Sequence, residues 1–381
     1  MKLYLLIFLF TGLSGLLPAQ VPVPDKEKLF DLYQTQRYAE AAAYLQQIYS
    51  DDTQDLKAIH QMAYCFMMAG KLPEAEKNYL KILEQQPAAL PVWFNLAQIN
   101  LKRGNTAKAR EYLESIVKSD SMNFNALKQL ASLYTNDTLS IRVDYLLKAN
   151  RINPAEPDVA YELANAQRKL KKYDSAYAVL SIAIAADTGN LVLQQARLPI
   201  AIQLKRYKEV ITTGEKLLTN GIDPNIVRDV AMACYYLKNY KQAIDYFKQL
   251  ETIDAQSESS LYYTALCYRN LNDYKTAAEY AKRTIHEGIS VNIPSYYLLL
   301  GGIYETRQEV SAAVNAYKKG LSFNANHTIY YRLGILYDLK LNQKKNAITW
   351  YQRYLKSRPD KVLDKEQIDY VKNRLEMLSA K

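Results

Sequence analysis

The sequence predicts an all-α protein, an α-solenoid of about ten helix-turn-helix repeats finished by a C-terminal capping helix. Three observations carry that prediction. Glycine and proline are scarce, 12 of each in 381 residues, which disfavours an all-β fold with its frequent tight turns. Tyrosine is abundant, 33 against 8 Phe and 2 Trp, and part of it is periodic: Tyr173, Tyr207, Tyr240 and Tyr274 lie 34, 33 and 34 residues apart. Small residues recur with the same period.

Those small residues form two series. Ala176, Val210, Ala243 and Ala277 each follow one of the four tyrosines by three positions, and the phase continues through Ala41, Ala75, Ala109, Ala313 and Ala347. Twelve positions earlier run Ala63, Ala97, Ala131, Ala164, Ala231, Ala265 and Gly301, with Gly334 one residue out of phase. A short polar turn separates the series, so each repeat is two helices. Apolar residues within them keep helical spacing, as in Leu96 and Ile99 or Ala243, Phe247 and Leu250. A small residue at a fixed place on each helix lets the two axes approach to about 8–10 Å.

One unit carries Trp93, Leu96, Ala97, Ala109 and Leu113; others place Tyr134, Tyr268, Tyr304 and Tyr337 at their eleventh position and Pro87 and Pro359 near their ends. On these residues the chain resembles the tetratricopeptide repeat (TPR) family from about residue 22 to 359. The resemblance implies a right-handed superhelical solenoid whose first helices line a concave groove. Two units depart from the pattern. The fourth has Arg142 near the second small site, and the sixth has Leu198 at the first small site and Pro199 inside a helix. An interior proline removes one backbone hydrogen bond and clashes with the preceding turn, at a cost of ~3 kcal/mol. A kink is expected there, with a hinge or a rigid adjusted turn as its two outcomes. The expected layout is therefore an N-terminal array over 20–190, a C-terminal array over 191–359 and a capping helix over 360–381. In that cap Leu363, Ile368, Val371, Leu375 and Leu378 are expected on one side, covering the last open face.

Residues 1–19 read as a secretory signal peptide: Lys2 precedes an apolar run from Leu3 to Leu17, then Pro18 and Ala19. An uncleaved anchor is the alternative. The expectation is an exported, most simply periplasmic, protein, with membrane association only through a partner or that anchor. Cys65, Cys234 and Cys267 cannot all pair within one chain; buried thiols are expected, with a Cys234–Cys267 bond as the alternative. The formal charge of +10 is concentrated toward the end, where residues 340–381 hold eleven Lys or Arg and five Asp or Glu. Such an end attracts anionic lipid, acidic peptide or polysaccharide, or is simply a solvated face.

Little in the chain suggests catalysis. His60, His286 and His327 fall in different units, and no Gly-rich phosphate loop, HExxH or GxSxG occurs, so no enzyme and no cofactor is expected. His60, Met62, Cys65, Met67 and Met68 crowd one helix and offer soft copper ligands, but Met62 sits at a core place and methionine filling a gap is the simpler reading, so no metal is expected. Nucleic acid is not an expected partner.

The family resemblance implies that the fifth, twelfth and thirteenth places of each unit face the groove. They hold Tyr161, Arg168 and Lys169 in the fifth unit, Arg228, Tyr235 and Tyr236 in the seventh, and Tyr262 and Arg269 in the eighth. Seven residues make two helical turns, so each fifth–twelfth pair shares a face. The resulting expectation is a non-catalytic scaffold or adaptor at the bacterial cell envelope whose cationic and aromatic wall takes a protein or peptide, most naturally an acidic one. A glycan-binding module using the groove tyrosines is the alternative. The oligomeric state is open. The two-carboxylate clamp of chaperone-binding members is not assembled, since Lys128 is followed by Ser132 and Tyr161 precedes Asn165.

Overall fold

The computed structural model describes residues 23–134, 139–287 and 291–380, so the expected signal peptide, residues 1–19, lies outside the described residues. All regular structure among the described residues is helical, in ten pairs and a final helix. The chain divides into two compact units between Pro154 and Ala155.

The first unit contains α1 (Lys26–Gln34) with α2 (Tyr38–Ile48) and α3 (Leu56–Met68) with α4 (Leu72–Gln85). It continues with α5 (Leu90–Lys102) and α6 (Thr106–Ser119), then α7 (Phe124–Leu133) and α8 (Leu139–Ile152). The second begins with α9 (Pro157–Lys169) and α10 (Tyr173–Ala186), then α11 (Leu191–Gln203) and α12 (Tyr207–Leu218). It proceeds through α13 (Pro224–Tyr236) and α14 (Tyr240–Thr252), α15 (Glu258–Asn270) and α16 (Tyr274–Glu287), and α17 (Ile293–Thr306) and α18 (Val310–Leu321). Last come α19 (His327–Ile335), a π-helical turn (Leu336–Lys340), α20 (Lys344–Lys356) and α21 (Lys365–Ser379). The expected array boundary at residue 190 and the hinge site near Pro199 both fall inside the second unit; the division lies earlier, where Pro154 and Pro157 interrupt the helical run. Pro199 stands within α11, which is assigned as one helix from Leu191 to Gln203.

Local chemistry starts and stops these helices. Asp55, Asn123, Asn190, Asp223, Ser257 and Asn326 cap first helices by accepting backbone N–H groups, and Pro157, Pro224 and Pro294 stand in first turns where no donor is missed. Between the two helices of a pair one residue is left-handed, as at Gln36, Gly70 and Gly104 in the first unit and at Lys171, Lys205, Lys238, Asn272 and Gln308 in the second. Its N–H and the next one return to carbonyls of the ending helix, as Lys171 to Arg168 and Lys172 to Gln167, which closes the turn.

The small-residue phase is also the packing phase. Ala41, Ala75, Ala109, Ala176, Val210, Ala243, Ala277, Ala313 and Ala347 are all fully buried. In the fourth unit Val143, the neighbour of Arg142, takes the buried place. The glycines of the second unit show why size matters. A Cβ on Gly301 would lie 2.2 Å from Cε1 of Tyr317, and one on Gly334 2.4 Å from Tyr351. Both tyrosine rings are fully buried, and their hydroxyls donate to Glu305 and Asp338, each four residues after its glycine. In the sixth unit the order of sizes is reversed: Leu198 is buried on the first helix, and Gly214 on the second lets α12 approach Val230 of α13. Gly334 is out of phase because the π-helical turn accommodates one extra residue, Leu341 donating to the Leu336 carbonyl five residues back.

Polar locks supplement the apolar core. In the first unit Glu76 accepts hydrogen bonds from Asn100 (3.1 Å) and Lys108 (2.6 Å) and pairs with Arg103. Burial pushes its carboxyl up, but these partners outweigh burial and hold it below the usual carboxylate range. At the end of the second unit α21 covers the last pair through Val371, fully buried against the cluster of Tyr351 and Tyr354, with Ile368, Leu375 and Leu378 packed beside it. Leu363 does not join this face. It sits in the turn before α21 and is 84% exposed.

Candidate functional site

Successive first helices touch in the second unit: α9 packs on α11, α11 on α13 and α13 on α15, while no two second helices there approach as closely. The first helices therefore form one continuous surface, and side chains pointing away from their pair mates lie on it together.

Tyr161, Asn165 and Arg168 of α9, Gln195 and Pro199 of α11, and Asn225, Arg228 and Asp229 of α13 line one open hollow of about 410 Å³. Three of the sequence-derived residues, Tyr161, Arg168 and Arg228, are brought together here although 67 positions separate the first from the last. Tyr161 and Arg168 are exposed and Arg228 half-buried. Asp229, 7% exposed, is the only buried acid of the hollow, with Arg228 Nε 3.7 Å from its Oδ1. Desolvation pushes its carboxyl up to about 6; the positive charges of Arg228 and Arg168 work the other way and Asp223 adds to the rise. Gln195 is fixed by donating to Asp223 at 3.0 Å. The hollow thus presents two guanidinium groups, a phenol and a carboxyl group that is easily protonated.

The remaining predicted residues fall elsewhere on α9, α13 and α15. Lys169 is exposed at the end of α9 and does not line the hollow. Tyr235 is half-buried with its ring against Tyr263 (4.9 Å), Tyr236 (5.4 Å) and Tyr240 (5.9 Å), so much of its surface is used in packing. Tyr236 is exposed, stacks on Tyr207 at 5.0 Å and shares a hydroxyl hydrogen bond with Tyr263 at 3.1 Å. Arg269 is exposed close enough to Tyr235 and Tyr262 to oppose the rise in their phenol pKa values that burial causes. Tyr262 lies 5.1 Å from Tyr296 and borders a second hollow with Ser257, Glu258, Tyr263, Asn292 and Ser295.

Asn165, Gln195, Asp229, Tyr263 and Tyr296 were not among the residues expected from sequence. Asp229 alone left a trace, as a carboxylate beside Arg228 in a first helix whose neighbouring residues, Ile226, Val227 and Val230 to Ala233, are apolar. The soft-ligand helix does not converge: Met62, Cys65 and Met67 are buried in the core, while His60 and Met68 are exposed. Cys234 and Cys267 are buried free thiols, raised by desolvation to about 11 and about 12.

Helix pairs repeating about every 34 residues, with small residues at the crossing points and a surface of first helices, define an α-helical repeat protein. Models of the tetratricopeptide repeat family match residues 32–87, 61–122, 259–287, 294–327 and 327–361. Together with the repeat geometry these matches support a tetratricopeptide repeat protein, a class that generally mediates protein–protein interaction. A TPR repeat-containing protein of Methanocaldococcus jannaschii is 26% identical over 313 residues, 74% of this chain and 53% of its own length. The chain therefore spans about half the length of that relative. Among solved structures, a human IFIT1 dimer with m7Gppp-AAAA is 16% identical with a TM-score of 0.46, covering 94% of this chain and 88% of that one. The C-terminal part of a TPR repeat-containing protein from Cytophaga hutchinsonii is 18% identical with a TM-score of 0.45, covering 69% and 95%. A tetratricopeptide repeat protein from Parabacteroides merdae is 16% identical with a TM-score of 0.42, covering 65% and 98%.

Proposed function

We propose that this chain is a non-catalytic scaffold exported to the bacterial cell envelope, holding an acidic segment of a partner protein on the surface formed by α9, α11, α13 and α15. The observation that carries the reading is the convergence of Arg168 and Arg228, from alternate repeats, on one hollow bordered by Tyr161. Two guanidinium groups favour a carboxylate, which each can engage with two parallel hydrogen bonds. Tyr161 supplies apolar contact area at little entropic cost. Export rests on the Lys2 to Ala19 segment and its layout. The test is capture from envelope extract with native chain and with Arg168→Glu, Arg228→Glu. A protein recovered in stoichiometric amount by the first and lost from the second, with unchanged helical circular dichroism, supports the reading; equal recovery removes the site.

The second hollow favours a glycan as the alternative ligand, because tyrosines 262, 263 and 296 border it beside Ser, Asn and Glu side chains. Retention on cell-wall polysaccharide, release by free sugar and loss with Tyr262→Ala would decide for it.

A further inference from the structure

The turn between α20 and α21 displays two adjacent aliphatic side chains to solvent, Val362 at 82% and Leu363 at 84% exposure. The turn is built for that display. Asp360 Oδ1 accepts the N–H groups of Val362 (2.8 Å) and Leu363 (2.9 Å), and Asp364 Oδ2 accepts the N–H of Asp360 (2.9 Å). The Asp364 carboxylate also faces His327 Nε2 at 3.6 Å. Both acids of the turn are thus directed at the chain itself. Outward-facing charge here is mostly positive: exposed Arg358, Lys361, Lys365 and Lys372 border a shallow hollow of about 750 Å³ floored by Leu355 and Ile368, with Asp369 the one acid on its rim and exposed Glu366 beside Lys365. Among the described residues none of these four cations forms an ion pair.

We propose that this end of the second unit docks directly on an anionic lipid bilayer, Val362 and Leu363 entering the headgroup region while the surrounding cations engage lipid phosphates. Charge complementarity selects the occupant: four unpaired cations beside a protruding aliphatic pair match a negatively charged surface that yields to a wedge. An acidic protein would satisfy the charges but would also have to supply a matching apolar recess for two side chains that stand out from the surface. This docking is a third route to the membrane beside a partner or an uncleaved anchor. It is independent of the α9–α15 surface, which lies on other helices.

The test is flotation of the whole chain with vesicles of phosphatidylcholine containing about one quarter phosphatidylglycerol, against phosphatidylcholine alone, at about 0.1 M and about 1 M salt. Binding is expected on the anionic vesicles at low salt, at least about tenfold weaker on the neutral ones and at high salt. Replacing Lys361, Lys365 and Lys372 with Gln is expected to weaken it by more than about tenfold, since each cation near the surface contributes about fivefold. Val362→Ser with Leu363→Ser is expected to weaken it comparably, with circular dichroism unchanged because all five side chains are exposed. No binding to anionic vesicles overturns the proposal, as does binding that the aliphatic pair of substitutions leaves intact. An oligo-glutamate peptide bound through the same lysines, with vesicles ignored, overturns it in favour of an acidic protein.

Discussion

Arg374 on the last helix grips Asp338 in the π-helical turn of the preceding repeat at two points, Nε to Oδ2 at 2.7 Å and Nη2 to Oδ1 at 2.9 Å. The Asp338 side chain is only 3% exposed and also accepts the Tyr351 hydroxyl at 3.2 Å. One carboxylate therefore joins the extra residue of α19, the core of α20 and the capping helix.

Arg374→Ala is predicted to leave that carboxylate buried with its cation gone. The guanidinium is about one-third exposed, so part of the loss is screened and the cost should be about 2–3 kcal/mol. Denaturant unfolding checks the magnitude, and hydrogen exchange should show α21 losing protection before α13. Protection lost evenly along the second unit would contradict a local lock.

Gly301→Ala is predicted to destabilise the ninth repeat by about 1–3 kcal/mol, because the new methyl would enter the space of the buried Tyr317 ring. Tyr317→Leu alone removes the ring and its bond to Glu305. Combined, the two substitutions should cost less than their sum, by at least about 0.5 kcal/mol. Strict additivity in melting experiments would mean that the two residues are not pressed together.

Asp229 gives a pH prediction whose sign follows from its raised pKa. Unfolded, the group titrates near an aspartate's ordinary 3.8; folded, it is pushed up to about 6. Between those values the folded chain holds the extra proton, so the stability relative to acid falls as pH rises through this window and the penalty is complete above about 6. Asp229→Asn removes the penalty. It should raise stability at pH 7 by at most about 3 kcal/mol and confer no such gain near pH 4. A gain of equal size at both pH values would point to packing instead of ionisation.

Much of this fold is legible in the sequence, because each repeat restates the same constraint. The alanines of both series are buried where the 34-residue phase puts them, and even the slip at Gly334 is visible as thirteen residues instead of twelve before Ala347. What absorbs the slip, a longer turn or an i to i+5 helical turn, is not written in the repeat; the chain takes the latter, and Asp338 in it meets Arg374 from 36 residues on. Leu363 reads as part of an apolar stripe only if α21 begins before Asp360; Asp360 and Asp364 bond the backbone there and end that possibility. The candidate site is less legible. Tyr161, Arg168 and Arg228 follow from their places in the repeat, whereas Gln195 and Asp229 matter only because three first helices converge. Tyr235 holds an equivalent place but is drawn into packing by neighbours that the repeat pattern does not specify.

The central claim is that a partner lies on the surface of first helices in the second unit. Photocrosslinking tests it most directly, with benzoylphenylalanine replacing Tyr161 on α9 in one chain and exposed Lys216 on the second helix α12 in another. The account predicts a covalent adduct with the captured protein from the Tyr161 position and none from Lys216. Adducts from Lys216 with none from Tyr161 would contradict it.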